Sequence, residues 1–331
     1  MFVTFLRSSS VGTYEWCPRQ YFIQYVLGRP NKTQKKAEMG TIVHKALELL
    51  AQKKWAEQKG ETELTNDELG RTFPLAFICP DTALTLAFDH YVNKQGNELT
   101  YTFEDFQTVK KWLNTVLTTC YGIYNPLFRE VVAPELYFDI EIKREWAKYS
   151  YNIEGQLIEG YLRIKGTLDL VTKVGDNPLI LEYVDWKTGQ RKMWDENRPK
   201  EFEDFLEDKQ LCLYYYALCH LFPEAADILV TIYYVRDGGP FTLPFSKDRL
   251  PQIEEKMRGW FEAIKEDQNP GHVWFDWKCK LCKFSEKGDS GRPVCHEVGN
   301  EIVKVGIDRV TSKWADKSKW GQYGEGGGRT Q

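Results

Sequence analysis

Several absences narrow the field before any motif is considered. No stretch of the 331 residues approaches the run of about 20 apolar residues that a membrane-crossing helix needs, so no membrane partner is expected. The apolar start, Met1 to Leu6, is too short for a secretory leader. Eight scattered cysteines without such a leader point to a reducing cytoplasm rather than to disulfides. Cys79, Cys120, Cys212 and Cys219 sit in apolar surroundings and are expected to act as small core hydrophobes. There is no internal repeat and no Gly-x-x-x-x-Gly-Lys-Ser/Thr phosphate loop, which excludes an ATP-driven motor. An excess of positive charge is also lacking, the formal net charge being −4. Its distribution is uneven: Arg7, Arg19, Arg29, Lys32, Lys35, Lys36 and Lys45 stand against only Glu15 and Glu38 in the first 45 residues. That basic segment, with Lys187, Arg191 and Lys192 further on, would suit a phosphate backbone.

What is present centres on one stretch. Leu179 to Lys187 is apolar, β-branched and aromatic, bounded by Asn177-Pro178 and Thr188-Gly189, the pattern of a buried strand. Side chains two apart on a strand share a face, so Asp185 and Lys187 point together and Trp186 points away. Tyr161 to Val174 is also strand-like, is joined to it by the turn Gly175-Asp176-Asn177-Pro178, and carries Asp169. Two carboxylates on neighbouring strands repel unless a cation lies between them, and hard oxygen donors suit Mg²⁺ or Mn²⁺. Such an ion beside a lysine is equipment for phosphodiester hydrolysis.

Four further motifs surround this pair in a fixed order: Gly40-x-x-x-His44 in a helix-like run, a glutamate in Pro134-Glu135, Gly166-x-x-Asp169 before Asp185-x-Lys187-Thr-Gly189, and Gln210-x-x-x-Tyr214 in the amphipathic stretch Phe202 to Phe222. Together they resemble the RecB-like branch of the PD-(D/E)xK nuclease superfamily over roughly residues 8 to 296. The resemblance implies that His44, Asp169 and Asp185 bind metal, that Lys187 is catalytic, and that Gln210 and Tyr214 shape the site on the DNA side. Glu135 is the match on the first strand, with Asp139 and Glu141 on the same expected face. The implied activity is a DNA exonuclease of recombination, repair or phage DNA metabolism, with single-stranded DNA favoured and a helicase or recombination protein as a possible partner. Two alternatives stand beside it: a CRISPR-adaptation nuclease of the same branch, and a non-catalytic DNA-binding module of a helicase–nuclease complex.

Cys279-x-x-Cys282 followed by Cys295, with Cys17 far upstream in Trp16-Cys17-Pro18-Arg19, has metal-ligand spacing. RecB-like nucleases with an iron–sulfur cluster are similar in placing one cysteine before the core and three after it. Four thiolates accept either a [4Fe–4S] cluster or Zn²⁺; the resemblance favours the cluster, and His296 keeps zinc open. The expected fold is α/β, a restriction-endonuclease-like core with a mixed central sheet flanked by helices. Its expected parts are a basic segment over 1–38, the core over 39–55 and 131–268, a helical insertion over 56–130, a cysteine arm over 269–305 and a flexible tail over 306–331. Trp314 and Trp320, among tail lysines, would be free to stack on bases or dock a protein.

Overall fold

The computed structural model describes residues 1–316 apart from 33, 95–98, 154, 177, 194–196, 238, 275 and 289. In chain order the principal elements are strand β1 (Phe5–Leu6), helices α1 (Ser8–Trp16), α2 (Lys35–Gln58), α3 (Pro80–Val92) and α4 (Phe103–Thr118), and strands β2 (Glu130–Glu141), β3 (Arg163–Asp176) and β4 (Leu179–Lys187). Helix α5 (Lys209–Leu221), strands β5 (Asp227–Tyr234) and β6 (Gly239–Pro244), and helices α6 (Leu250–Glu266), α7 (Val294–Val305) and α8 (Ile307–Trp314) complete the list.

All six strands form one mixed sheet. β3 pairs antiparallel with β2 along one edge. Arg163 and Ile164 pair with β1 as well as with β2, so β1 must lie on the other edge, where β4 takes over further along. β4 runs parallel to β5, and β5 antiparallel to β6. β4 is covered on both faces, which is why it reads as a continuous apolar run: Tyr183 belongs to a core shared with α5, α6 and α7, whereas Val184 and Trp186 belong to a core shared with α2, α3 and α4. The mixed α/β architecture with helices on both sheet faces is the expected one.

Several local expectations change. The 56–130 stretch is not purely helical, because Glu63–Asn66 and Arg71–Pro74 form an antiparallel hairpin that turns Leu64 and Phe73 inward. A second hairpin, Lys148–Ile153 with Gln156–Tyr161, stacks Tyr149 on Tyr151. The single helix expected over Phe202 to Phe222 is two, Phe202–Leu206 and α5, because the Asp208 carboxylate accepts from the Gln210 and Leu211 amides and caps a new start. Residues 306–316 are not a flexible tail: α8 buries Ile307 and Val310 in the core, and Trp314 packs there under the Arg29 guanidinium, so it is not a free aromatic. Trp320 lies outside the described residues. Cys212 is buried as expected, but Cys79 and Cys120 are exposed, lying where the hairpin-to-α3 and α4-to-β2 connections reach the surface.

Candidate active site and cysteine centre

Three strands bring three carboxylates into one row. Pro134 lies opposite Leu170 and Leu136 opposite Leu168, so Glu135 of β2 faces Asp169 of β3. The β3–β4 pairing runs to Leu170 and Val184, so Asp169 and Asp185 are next in register. The ladder opens at that point, and the Trp186 amide donates to Asp169 Oδ2 at 3.0 Å instead of to a backbone carbonyl. Glu135 sits at φ 46°, a left-handed backbone that interrupts the pleat beside the site. Asp139 and Glu141, the other two acidic candidates on β2, are engaged elsewhere: Asp139 pairs with Arg163 at 2.6 Å and Lys165 at 3.2 Å, and Glu141 lies 3.7 Å from Arg163.

The flanking motifs have spatial reasons. A Cβ on Gly40 would overlap Thr188 Oγ1, so glycine lets α2 approach the end of β4 closely, and one turn later His44 Nδ1 reaches Asp169 Oδ2 at 3.3 Å. A Cβ on Gly166 would meet Phe138 at 2.7 Å and Tyr214 at 2.9 Å, so glycine makes room for the tyrosine beneath the row. Tyr214 is buried, with only 8 % of its surface exposed, and packs edge-on against Phe138 and Tyr183. The Lys187 ammonium lies 2.6 Å from Asp185 Oδ2 and donates to Gln210 Oε1 at 2.9 Å, while the Gln210 amide donates to Asp185 Oδ1 at 3.2 Å. Gln210 therefore bridges the carboxylate and the lysine.

Electrostatics mark this as a place that a cation would stabilise. Burial, with the Asp169 charge, drives the Asp185 carboxyl above its ordinary range despite Lys187. Burial, then Glu48 and Asp169, pushes Glu135 up to about 8. Burial disfavours charge on Asp169 too, yet His44 and Lys187 outweigh it and hold Asp169 below the usual range. His44 is raised by the same pairing against the effect of its burial. Asp185 Oδ2 is buried and its partner is the Lys187 ammonium at 2.6 Å. A set of three buried or half-buried carboxylates with an imidazole beside them, two of the carboxyls pushed up by burial and mutual repulsion, fits Mg²⁺ or Mn²⁺. A groove of 740 Å³ lined by His44, Glu135, Gly40, Thr188, Lys36 and Arg236, among others, opens beside it.

The four cysteines also converge. Cys17, Cys279, Cys282 and Cys295 line one small cavity with Trp16, His272 and Phe284, none is in a disulfide, and Cys17 and Cys295 are buried. The Cys295 thiol is pushed up to about 11 by burial and then by Cys282, Cys17 and Cys279, so ionising these thiols together would take a cationic centre between them. Among the described residues, the group of possible ligands with atoms all within 4.8 Å of one another is His272, Cys295 and His296.

Sequence reasoning missed several participants. Tyr183, two before Asp185 and so on the same face, donates its hydroxyl to Asp185 Oδ1 at 3.0 Å; strand periodicity contained that signal. Glu48, one turn beyond His44, is buried between Lys45, Gln52 and Asn66. The buried Arg19 donates to the carbonyls of Pro270 at 2.7 Å and Cys295 at 3.0 Å and occupies the space that a side chain at Gly299 would fill. Part of the basic N-terminal segment is neutralised, Lys32 by Glu286 and Lys35 by Asp105.

The sequence profile of the PD-(D/E)XK nuclease superfamily matches residues 8–286. The chain belongs to that superfamily. Membership makes it a nuclease, a metal-dependent hydrolase acting on nucleic acid, and agrees with the mixed sheet and its row of carboxylates. Among solved structures, one titled "Crystal structure of SSO0001" is similar at 12 % identity and a TM-score of 0.24, over 77 % of this chain and 95 % of that one. No curated protein matches the chain. Among the described residues no helix is long and apolar enough to cross a membrane.

Proposed function

We propose that this PD-(D/E)XK nuclease is of the RecB-like, iron–sulfur type and acts as a DNA exonuclease on single strands or DNA ends, in recombination, repair or phage DNA metabolism. The observation that carries the reading is the Glu135–Asp169–Asp185 row with Lys187 beside it. His44, Asp169 and Asp185, with Glu135, would hold Mg²⁺ or Mn²⁺, which when bound supplies Lewis acidity to the scissile phosphate and a more acidic attacking water. Lys187 is kept charged by Asp185 and Asp169 against its burial, so its ammonium orients that water or stabilises the charge developing on phosphate. Gln210 fixes the lysine relative to Asp185. Tyr214 acts from below, as the packed support of the row, with its hydroxyl pushed up to about 12 by burial and the Asp185 charge.

Cys17, Cys279, Cys282 and Cys295 would hold a [4Fe–4S] cluster joining the two ends of the chain. His272 and His296 beside Cys295 favour one second reading, zinc with mixed thiolate and imidazole ligands. A helicase or recombination protein is the partner this class of activity calls for. The test is cleavage of end-labelled single- and double-stranded DNA with Mn²⁺ or with chelator. Mn²⁺-dependent shortening from an end supports the reading, and an inert wild-type protein overturns it. Metal analysis after anaerobic purification separates about four irons from one zinc.

A further inference from the structure

The groove beside the carboxylate row does not stop there. Gln34, the residue preceding α2, lines it and also lines a second groove of 470 Å³ whose walls include Trp16, Cys282, Lys32, Lys209 and Lys278. Trp16 and Cys282 line the cysteine cavity too, so the second groove is floored by the cysteine centre. We infer that a single DNA strand leaving the catalytic groove crosses this second one, its phosphates meeting Lys32, Lys209 and Lys278 and a base stacking on Trp277, which stands outside the groove lining and adjoins its wall at Trp16. The inference rests on the nuclease reading above and adds the path and strandedness of the substrate.

Charge and aromatic placement carry it. In a chain of net charge −4, the residues lining the two grooves include five cations, Lys36, Arg236, Lys32, Lys209 and Lys278, and one carboxylate, Glu135. Lys32 and Lys209 pair with Glu286 and Glu15 at the surface, contacts weak enough to be exchanged for phosphate. Trp277 is 42 % exposed and is held edge-to-face against Trp16 at 5.0 Å, while Lys278 Nζ sits 4.1 Å over the Trp16 ring and 5.6 Å from the centre of the Trp277 ring, so a base would take the indole surface that Lys278 leaves open. Trp16 and Lys278 thus buttress an indole that keeps surface open to solvent. Aromatic platforms among lysines bind unpaired bases whatever their sequence, whereas a duplex keeps its bases stacked inside and offers none to Trp277.

The test measures binding of dT20, dT4 and a 20-base-pair duplex in chelator, and cleavage of the same strands with Mn²⁺. Trp277→Ala should weaken dT20 binding about tenfold, the loss of one stacked base, and shrink the preference for dT20 over dT4. Lys32→Glu with Lys278→Glu should lower the slope of log affinity against log salt by about 1.4 on single strands. Unchanged dT20 affinity and slope in both variants would overturn the proposal, as would a duplex bound equally well and equally weakened by Trp277→Ala. If wild-type protein cuts no DNA yet the binding results hold, the nuclease reading fails while the groove stands. If cleavage is present but both variants bind like wild type, the groove fails alone.

Discussion

Glu135→Gln should make the metal-free protein more stable and destroy its activity. The glutamate carboxyl is raised from its ordinary 4.5 to about 8 by burial first, then by Glu48 and Asp169. A carboxyl raised on folding contributes stability that is complete below its unfolded pKa and is lost as pH climbs through the folded value. The window is therefore pH 4.5 to 8, and above it the ionised side chain opposes folding by at most about 5 kcal/mol. Glu135 is partly exposed and its neighbours can relax, so about 2 kcal/mol is the realistic figure, or roughly 3 °C in Tm for a chain of this size. Thermal unfolding in chelator at pH 5 and at pH 8.5 checks it: the variant should match wild type at the lower pH and exceed it at the higher. Mn²⁺ should then stabilise wild type more than the variant, because an ion that binds only the folded state raises stability with its concentration. A wild type and variant with parallel pH profiles would refute the idea that this side chain is held in place for a cation.

Asp185→Ala and Lys187→Ala should each abolish Mn²⁺-dependent cleavage while leaving a folded protein, the lysine charge alone accounting for about 10² to 10³ in rate; near-wild-type turnover, with contaminating nuclease excluded, would contradict the site. Gly166→Ala forces a methyl to within 2.7 Å of Phe138 and 2.9 Å of Tyr214 and should cost about 1–3 kcal/mol in denaturant unfolding, with slower cleavage as Tyr214 shifts under the row. Cys17→Ser should lose the cysteine-bound metal and gain protease sensitivity, whereas Cys212→Ser, a buried thiol outside the cavity, should keep its metal; equal metal content in the two would separate Cys17 from the centre.

How much of this was open to reading from residues alone follows from the range of the forces involved. Asp169, Asp185 and Lys187 lie on one tight hairpin, where a two-residue period and a turn decide who faces whom, so their proximity was legible. Glu135 was chosen over Asp139 and Glu141 of the same strand, and the choice depends on a register that also gives Asp139 to Arg163 and Lys165; long-range pairing of that kind leaves no local trace. The break before Gln210 was readable in retrospect, since Asp208 is a good N-cap, but the apolar run on both sides concealed it. α8 was hidden by its glycine- and lysine-rich sequel, although Ile307, Val310 and Thr311 recur at helical spacing.

The N-terminal segment meets the end of α6 and the cysteine arm through more than the cysteines, and this changes what a metal held by those thiols would do. The Met1 amine donates to the carbonyls of Ile264, Lys265 and Asp267 at the end of α6, Tyr14 reaches Ala263 and Asp267, and Arg19 binds Pro270 and Cys295. A cross-link between Cys17 and the late cysteines would restrict the unfolded chain by about 5 kcal/mol if it alone closed the loop, in the chain-entropy account of disulfides. In the folded state that closure is shared with a row of hydrogen bonds, so losing the metal should loosen the cysteine arm locally before it unfolds the sheet. Arg19 is the residue that couples the two, since it holds the Cys295 backbone while lying two residues from Cys17. Removing its guanidinium should therefore lower metal retention without touching a ligand, and a variant such as Arg19→Met that kept its metal and its protease resistance would show that the thiols close the loop by themselves.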